Sequence, residues 1–178
     1  MKRDDVYKLC KVEAPKHGFD PILILALCEQ ESVNPKDPLE YREWICRPEA
    51  GYYNKYVEKV YKLATTTEVL FSNSWGLSQM MGDSLYQAGF FEWYFADQTK
   101  KYQDAYGNDP LHEIAVIKAL NAYAEHPEWQ VEYGCKWLKR KMGENPDVDR
   151  GLRLYNGSKE YPPKVRKRER KLRAIYGT

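Results

Sequence analysis

The segment Ile22-Leu23-Ile24-Leu25-Ala26-Leu27-Cys28 is apolar at every position and then changes abruptly to Glu29-Gln30-Glu31-Ser32. Gly18 breaks whatever precedes it, Asp20 is a good N-cap, and Pro21 suits the first helical position, where its missing N–H sacrifices no bond. A helix is therefore expected from Pro21 to Ser32. With no polar face in its first turns, that helix has to run through the core, with other elements packed all around it. Val33-Asn34-Pro35-Lys36-Asp37-Pro38 ends it, since proline cannot continue the hydrogen-bond ladder.

Most of the remaining chain also reads as helix, punctuated by glycine, proline and asparagine. Asp4 to about Lys16 forms a first helix, and Leu39 to about Ala64 contains one or two tyrosine-rich helical pieces. A polar stretch through Phe71-Ser72-Asn73-Ser74 leads into Trp75-Gly76-Leu77-Ser78-Gln79-Met80-Met81-Gly82, and Asp83 caps a helix that stops at Gly89. Phe90 to Tyr106, Leu111 to Ala124, and Pro127 to about Gly143 continue the series, the last with Val131, Cys135, Leu138 and Met142 on its inner face. Val148 to Tyr155 follows. Asn156-Gly157-Ser158 breaks it before a basic helix beyond Pro163. The expected fold is all-α in the main: one globular domain over residues 1–178, of roughly eight helices and without internal repeats.

At 178 residues and 43% hydrophobic content the chain can bury one proper core. A mean hydropathy of -0.76 and the shortness of the longest apolar run exclude a spanning helix. No apolar run follows Met1-Lys2-Arg3-Asp4-Asp5, so no secretory signal is visible. Cys10, Cys28, Cys46 and Cys135 form no C-x-x-C pair and read as structural thiols of a protein made in a reducing compartment. His112-Glu113 begins like a zinc-protease H-E-x-x-H, but Val116 stands at the second ligand position, so no metal site is expected. There is neither a G-x-S-x-G elbow nor a glycine-rich phosphate loop. The net charge of +2 is nearly balanced. The basic run from Lys164 to Arg173 is read as the solvated face of the last helix, with Val165, Leu172 and Ile175 turned inward, rather than as a nucleic-acid contact.

Glu31 lies on the helix face of Leu27 and Cys28, which makes it the acid of its segment expected to be half-buried, with Glu29 and Gln30 pointing elsewhere. Partial desolvation and the negative end of the helix dipole would both disfavour its charged form, the condition a general acid needs. The competing reading is plain: the first solvent-facing acid after a buried helix.

Three segments decide between them. Glu31-Ser32, Gly76-Leu77-Ser78-Gln79-Met80-Met81 and Leu154-Tyr155-Asn156-Gly157 together resemble, in this order, the soluble lytic transglycosylases and the related goose-type lysozymes, with their E-S pair, G-L-M-Q and A-Y-N-x-G. His17-Gly18-Phe19-Asp20-Pro21 is similar to the lead into the family's catalytic helix, and Tyr161-Pro162-Pro163-Lys164-Val165 to its terminal Y-V-x-K-V. About two-thirds of the chain is covered, with family-atypical insertions at about 37–73 and 92–125. Ser78 stands where the family has methionine, a change expected to alter the groove wall. Gly82 replaces a common proline, and Gly157-Ser158 replaces Ala-Gly.

The resemblance implies a lysozyme-like fold around a groove and cleavage of the MurNAc-β-1,4-GlcNAc bond of peptidoglycan, leaving a 1,6-anhydro sugar, with no cofactor. It implies Glu31 as the catalytic acid and base, Tyr155 hydrogen-bonded to Glu31, and Ser32 in support, the alternative for Ser32 being a cap on the helix end. Gln79 and the backbone of Gly76, Leu77, Ser78 and Met80 would bind sugar, together with Asn156, Trp75 and Tyr161. Trp75 is the aromatic preferred for stacking on a sugar ring. The implied partner is the peptidoglycan strand, with no nucleic acid, and the protein is expected to be a monomer, made in the cytoplasm and delivered to the wall by lysis, a secretion system or a phage particle. Two rivals stay open: a hydrolase that recruits a second acid from Asp37, Glu40, Glu43, Glu49, Glu58 or Glu68, and a non-catalytic wall-binding module.

Overall fold

The computed structural model describes residues 1–44, 46–48, 69–96 and 112–177. At its centre runs α2 (Pro21–Ser32), in which Ile22 through Cys28 are all buried. The start of α2 is set by Asp20, whose carboxylate accepts the Ile22 N–H at 2.7 Å, an N-cap of the expected kind. Each Leu or Ile buried here contributes about 2 kcal/mol of transfer free energy, which is why the segment takes the middle of the molecule.

Around α2 pack α1 (Arg3–Glu13), a 3-10 turn (Ala14–His17), α6 (Pro127–Met142), α7 (Val148–Asn156) and α8 (Tyr161–Tyr176). A second apolar cluster gathers around Phe90, Phe91, Leu120 and Tyr123, from α3 (Gly82–Gln87), α4 (Phe90–Ala96) and α5 (Glu113–Glu125). Helix α6 serves both: Val131, Cys135, Leu138 and Met142 belong to the first cluster, Tyr133 and Trp137 to the second. Tyr155 touches both clusters and so marks the seam between them.

The chain is mainly α, as expected. The small strands are a departure. β1 (Val33–Asn34) and β2 (Asp37–Tyr41) pair antiparallel, and β3 (Cys46–Pro48), β4 (Asn73–Trp75) and β5 (Met80–Met81) form a three-stranded sheet in that order. Residues 39–41 and 46–48 are therefore extended where helix was expected. Their pairing partners lie elsewhere in the chain, so the local pattern carried no sign of them. Residues 42–44 are not helical either, while residues 45 and 49–64 and the expected continuation of α4 to Tyr106 lie outside the described residues.

Arg42 fixes the end of α2. Its backbone N–H donates to the Ser32 carbonyl at 3.0 Å and its guanidinium reaches the Val33 carbonyl at 3.3 Å, supplying donors to carbonyls at the helix end that have no intrahelical partner. At the other end of the molecule, Asp147 caps α7 by accepting from Asp149 N and Arg150 N. Gly157, left-handed at φ 82, closes the helix onto the Arg153 carbonyl, a conformation that favours glycine. The reversal that follows puts Tyr155, at the end of α7, beside Tyr161, at the start of α8.

Helix α8 runs antiparallel to α2: Tyr161 meets Glu31, Arg168 meets Glu29 and Gln30, and Arg173 reaches back to Asp20. Val165 and Leu172 are buried as expected, whereas Ile175 is exposed.

Candidate active site

Glu31 sits in the last turn of α2, partly exposed, and accepts a hydrogen bond from the Tyr161 hydroxyl on its Oε1. The expected partner was Tyr155. That phenol instead gives its one proton to the Ser78 carbonyl at 2.7 Å and lies 3.6 Å from the Met80 sulfur. Tyr155 remains close: its ring is stacked on that of Tyr161 with centroids 6.3 Å apart and planes 9° from parallel. Both phenols are held well above their ordinary pKa, first by burial and next by the charge on Glu31. Each is therefore a neutral phenol, able to donate, beyond the range in which an ordinary tyrosine would lose its proton.

In the second segment, Gly76 to Gln79 form a tight loop joining β4 to β5, which begins at Met80. Gly76 has φ 71 and Gln79 has φ 47, and for a residue with a Cβ the left-handed conformation costs about 1–3 kcal/mol. The loop closes on the Gly76 carbonyl, which accepts the Gln79 backbone N–H at 3.2 Å and the Gln79 side-chain amide at 2.8 Å. A Cβ on Gly76 would fall 2.4 Å from the Gln130 side-chain oxygen, so glycine is required by space as well as by backbone angle.

Gln130, fully buried on α6, braces this loop from below. Its Oε1 accepts Leu77 N at 2.7 Å, its Nε2 donates to the Tyr123 and Ala124 carbonyls at 3.0 and 3.1 Å, and its own carbonyl accepts the Ser78 hydroxyl at 2.7 Å. Gly134, one turn on, leaves room for Ser78: a Cβ there would lie 2.7 Å from Ser78 Cβ. The three segments singled out in the sequence thus meet through Glu31, Tyr161, Tyr155 and the Ser78 carbonyl, in that order.

Several expectations change in detail. Glu29, not Glu31, is the most buried acid of its segment at 8% exposure. It is held by Arg168 at 2.8 Å, the Tyr41 hydroxyl at 3.0 Å and Arg3 at 3.8 Å, a set of partners that offsets the desolvation of the charge. Ser32 turns its hydroxyl onto the Cys28 carbonyl of its own helix at 2.8 Å, so it serves the helix end rather than Glu31. Leu77, Ser78 and Met80 are buried. Ser78 is accordingly no groove wall; it is a tie between the loop and α6. Trp75 is partly exposed, with its indole N–H on the Leu70 carbonyl at 3.3 Å. Asn156 is exposed at the end of α7. A Cβ at Gly82 would meet the Leu70 carbonyl oxygen at 2.7 Å, which is why a proline is not accommodated there.

Of the acids considered as a second catalytic group, Asp37 pairs with Lys2 and accepts the Leu39 N–H, Glu40 accepts from Asn34, and Glu43 pairs with the Met1 amino group. Glu49, Glu58 and Glu68 lie outside the described residues. Among the described residues no group of three or more His, Cys, Asp or Glu is placed to hold a metal ion.

Sequence reasoning missed Gln130 altogether and did not anticipate the hydrogen bond from Tyr161 to Glu31. A signal for Gln130 exists: with Gly134 and Leu138 it occupies positions i, i+4 and i+8 of α6, so a polar residue and a glycine interrupt an inward-facing row.

No family model, curated protein or solved structure matches the chain.

Proposed function

We propose that the protein is a peptidoglycan lytic transglycosylase with a lysozyme-like site, in which Glu31 is the single acid and base. The observation that carries this reading is the Glu31 carboxyl, partly exposed at the end of a buried helix and oriented by a buried neutral phenol, Tyr161, beside the strained and braced Gly76–Gln79 loop. Backbone strain held in place by surrounding structure concentrates at functional sites.

Glu31, protonated, gives its proton to the oxygen bridging the two sugars as the C1–O bond breaks. The N-acetyl oxygen of the same sugar steadies the positive charge at C1, as in substrate-assisted glycosidases. The 6-hydroxyl oxygen then bonds to C1 and its proton passes to the Glu31 carboxylate, restoring the acid. No water is consumed, and the product carries a 1,6-anhydro ring. Tyr161 keeps the carboxyl aimed throughout, and Tyr155 ties that tyrosine pair to the loop.

Mass spectrometry of digested cell-wall sacculi tests the reaction class. Anhydro-muropeptides are expected, reducing-end products would assign the protein to the hydrolases, and intact sacculi would sink the enzymatic reading.

A further inference from the structure

Beside the α2–α8 seam lies a cavity of ≈ 390 Å³ lined by Glu29, Gln30, Lys164, Lys167, Arg168 and Lys171. Four cationic side chains face one carboxylate there, and that carboxylate is already engaged by Arg168, Tyr41 and Arg3. Three of the four arginines of α8 are used differently from its lysines; the fourth, Arg170, is exposed. Arg166 is paired with Asp149 and Glu169, Arg173 with Asp20 and Glu169, and Arg168 with Glu29. Lys164, Lys167 and Lys171 are exposed and enter none of the ion pairs found among the described residues. At positions i, i+3 and i+7 they share one face of α8, along about 10 Å of its axis. The row starts one turn beyond Tyr161, the residue that holds Glu31.

We propose that this cleft binds the carboxylates of the peptide stem carried by the glycan strand, an inference that rests on the reading of Glu31 given above. The N-acetylated sugars of the strand are neutral, so its anionic groups are those of the short acidic peptide attached to the muramyl sugar. Because Lys164 is one helical turn beyond Tyr161, which bonds Glu31, a stem on the sugar held at Glu31 would need to turn along α8 to reach the lysine row. Nucleic acid is the poorer fit: the cleft contains no aromatic face for a base, and the chain as a whole is nearly balanced at +2.

The test uses Glu31→Gln protein, chosen to prevent turnover during binding, and a fluorescent glycan oligomer either bearing its stems or stripped of them by an amidase, with the lactyl carboxylates that the amidase frees then capped as neutral amides. Stem-bearing oligomer should bind about tenfold more tightly at low salt, and the preference should fall with added salt. Combining Lys164→Gln, Lys167→Gln and Lys171→Gln should bring the two oligomers to equal affinity. Lys171→Gln alone, should the triple variant fold poorly, should reduce the preference about twofold. A preference untouched by lysine removal overturns the proposal. So does tighter binding of a teichoic-type phosphodiester polymer or a DNA oligonucleotide than of the stem-bearing strand. Failure of wild-type protein to cleave either oligomer would count against the catalytic reading and is measured separately from this binding ratio.

Discussion

Replacing Tyr161 with Phe removes one hydroxyl and leaves the ring. The hydroxyl donates to the partly exposed carboxyl of Glu31, and such a hydrogen bond contributes about 0.5–1.5 kcal/mol when the carboxyl is neutral and about 1.5–3 kcal/mol when it is charged. Discounting for the solvent that reaches Glu31, Tyr161→Phe should cost about 1–2 kcal/mol. Tyr155→Phe should cost a similar amount for a different reason, because it strips the donor from the Ser78 carbonyl at 2.7 Å. A double-mutant cycle with Glu31→Leu separates the two, since only groups that interact show a coupling energy. Urea unfolding of the two cycles at pH 7 should give about 1–2 kcal/mol of coupling between Tyr161 and Glu31, and under about 0.5 kcal/mol between Tyr155 and Glu31. Coupling concentrated on Tyr155 would refute the assignment of Tyr161 as the residue that orients the carboxyl.

Three further outcomes follow from the same geometry. Gln130→Leu leaves Leu77 N and the Tyr123 and Ala124 carbonyls without their partner, so calorimetry should find a loss on the order of 3 kcal/mol and a midpoint lower by about 6–12 °C. Gly134→Ala forces a Cβ to 2.7 Å from Ser78 Cβ, whose hydroxyl is tied to the Gln130 carbonyl. A loss of about 1–3 kcal/mol is expected, with Ser78→Gly relieving part of it in the double variant. Burial raises the pKa of Tyr41, Tyr123, Tyr155 and Tyr161. Above about pH 10 the unfolded chain gives up phenolic protons that the folded chain keeps. That contribution to stability is complete below this pH and declines as the pH rises further; urea midpoints that hold steady from pH 9 to 11 would contradict it.

Helix α2 was legible because its signals are local: the cap, the proline and the unbroken apolar run all fall within a few residues of the element they define. The same holds for the ends of α6 and α7. The roles of Glu29 and Glu31 were not separable in this way, because what distinguishes them comes from Arg168, Tyr41 and Tyr161, which are distant in sequence. Tyr155 and Tyr161 are six positions apart, and which of them meets Glu31 depends on how the chain reverses after Gly157. The strands β2 and β3 are short and owe their conformation to pairing with other segments. Ser78 reads as a surface loop residue by composition, yet a gap left by Gly134 on another helix admits it to the interior.

Glu31 is proposed as the proton donor. Glu31→Gln keeps an oxygen for the Tyr161 hydroxyl and removes only the transferable proton, so the fold should persist, with an unfolding midpoint close to that of wild type. Turnover of purified sacculi, counted as muropeptides released per enzyme per minute, should fall by about 100- to 10,000-fold. A Glu31→Gln protein that releases muropeptides at the wild-type rate would contradict the account.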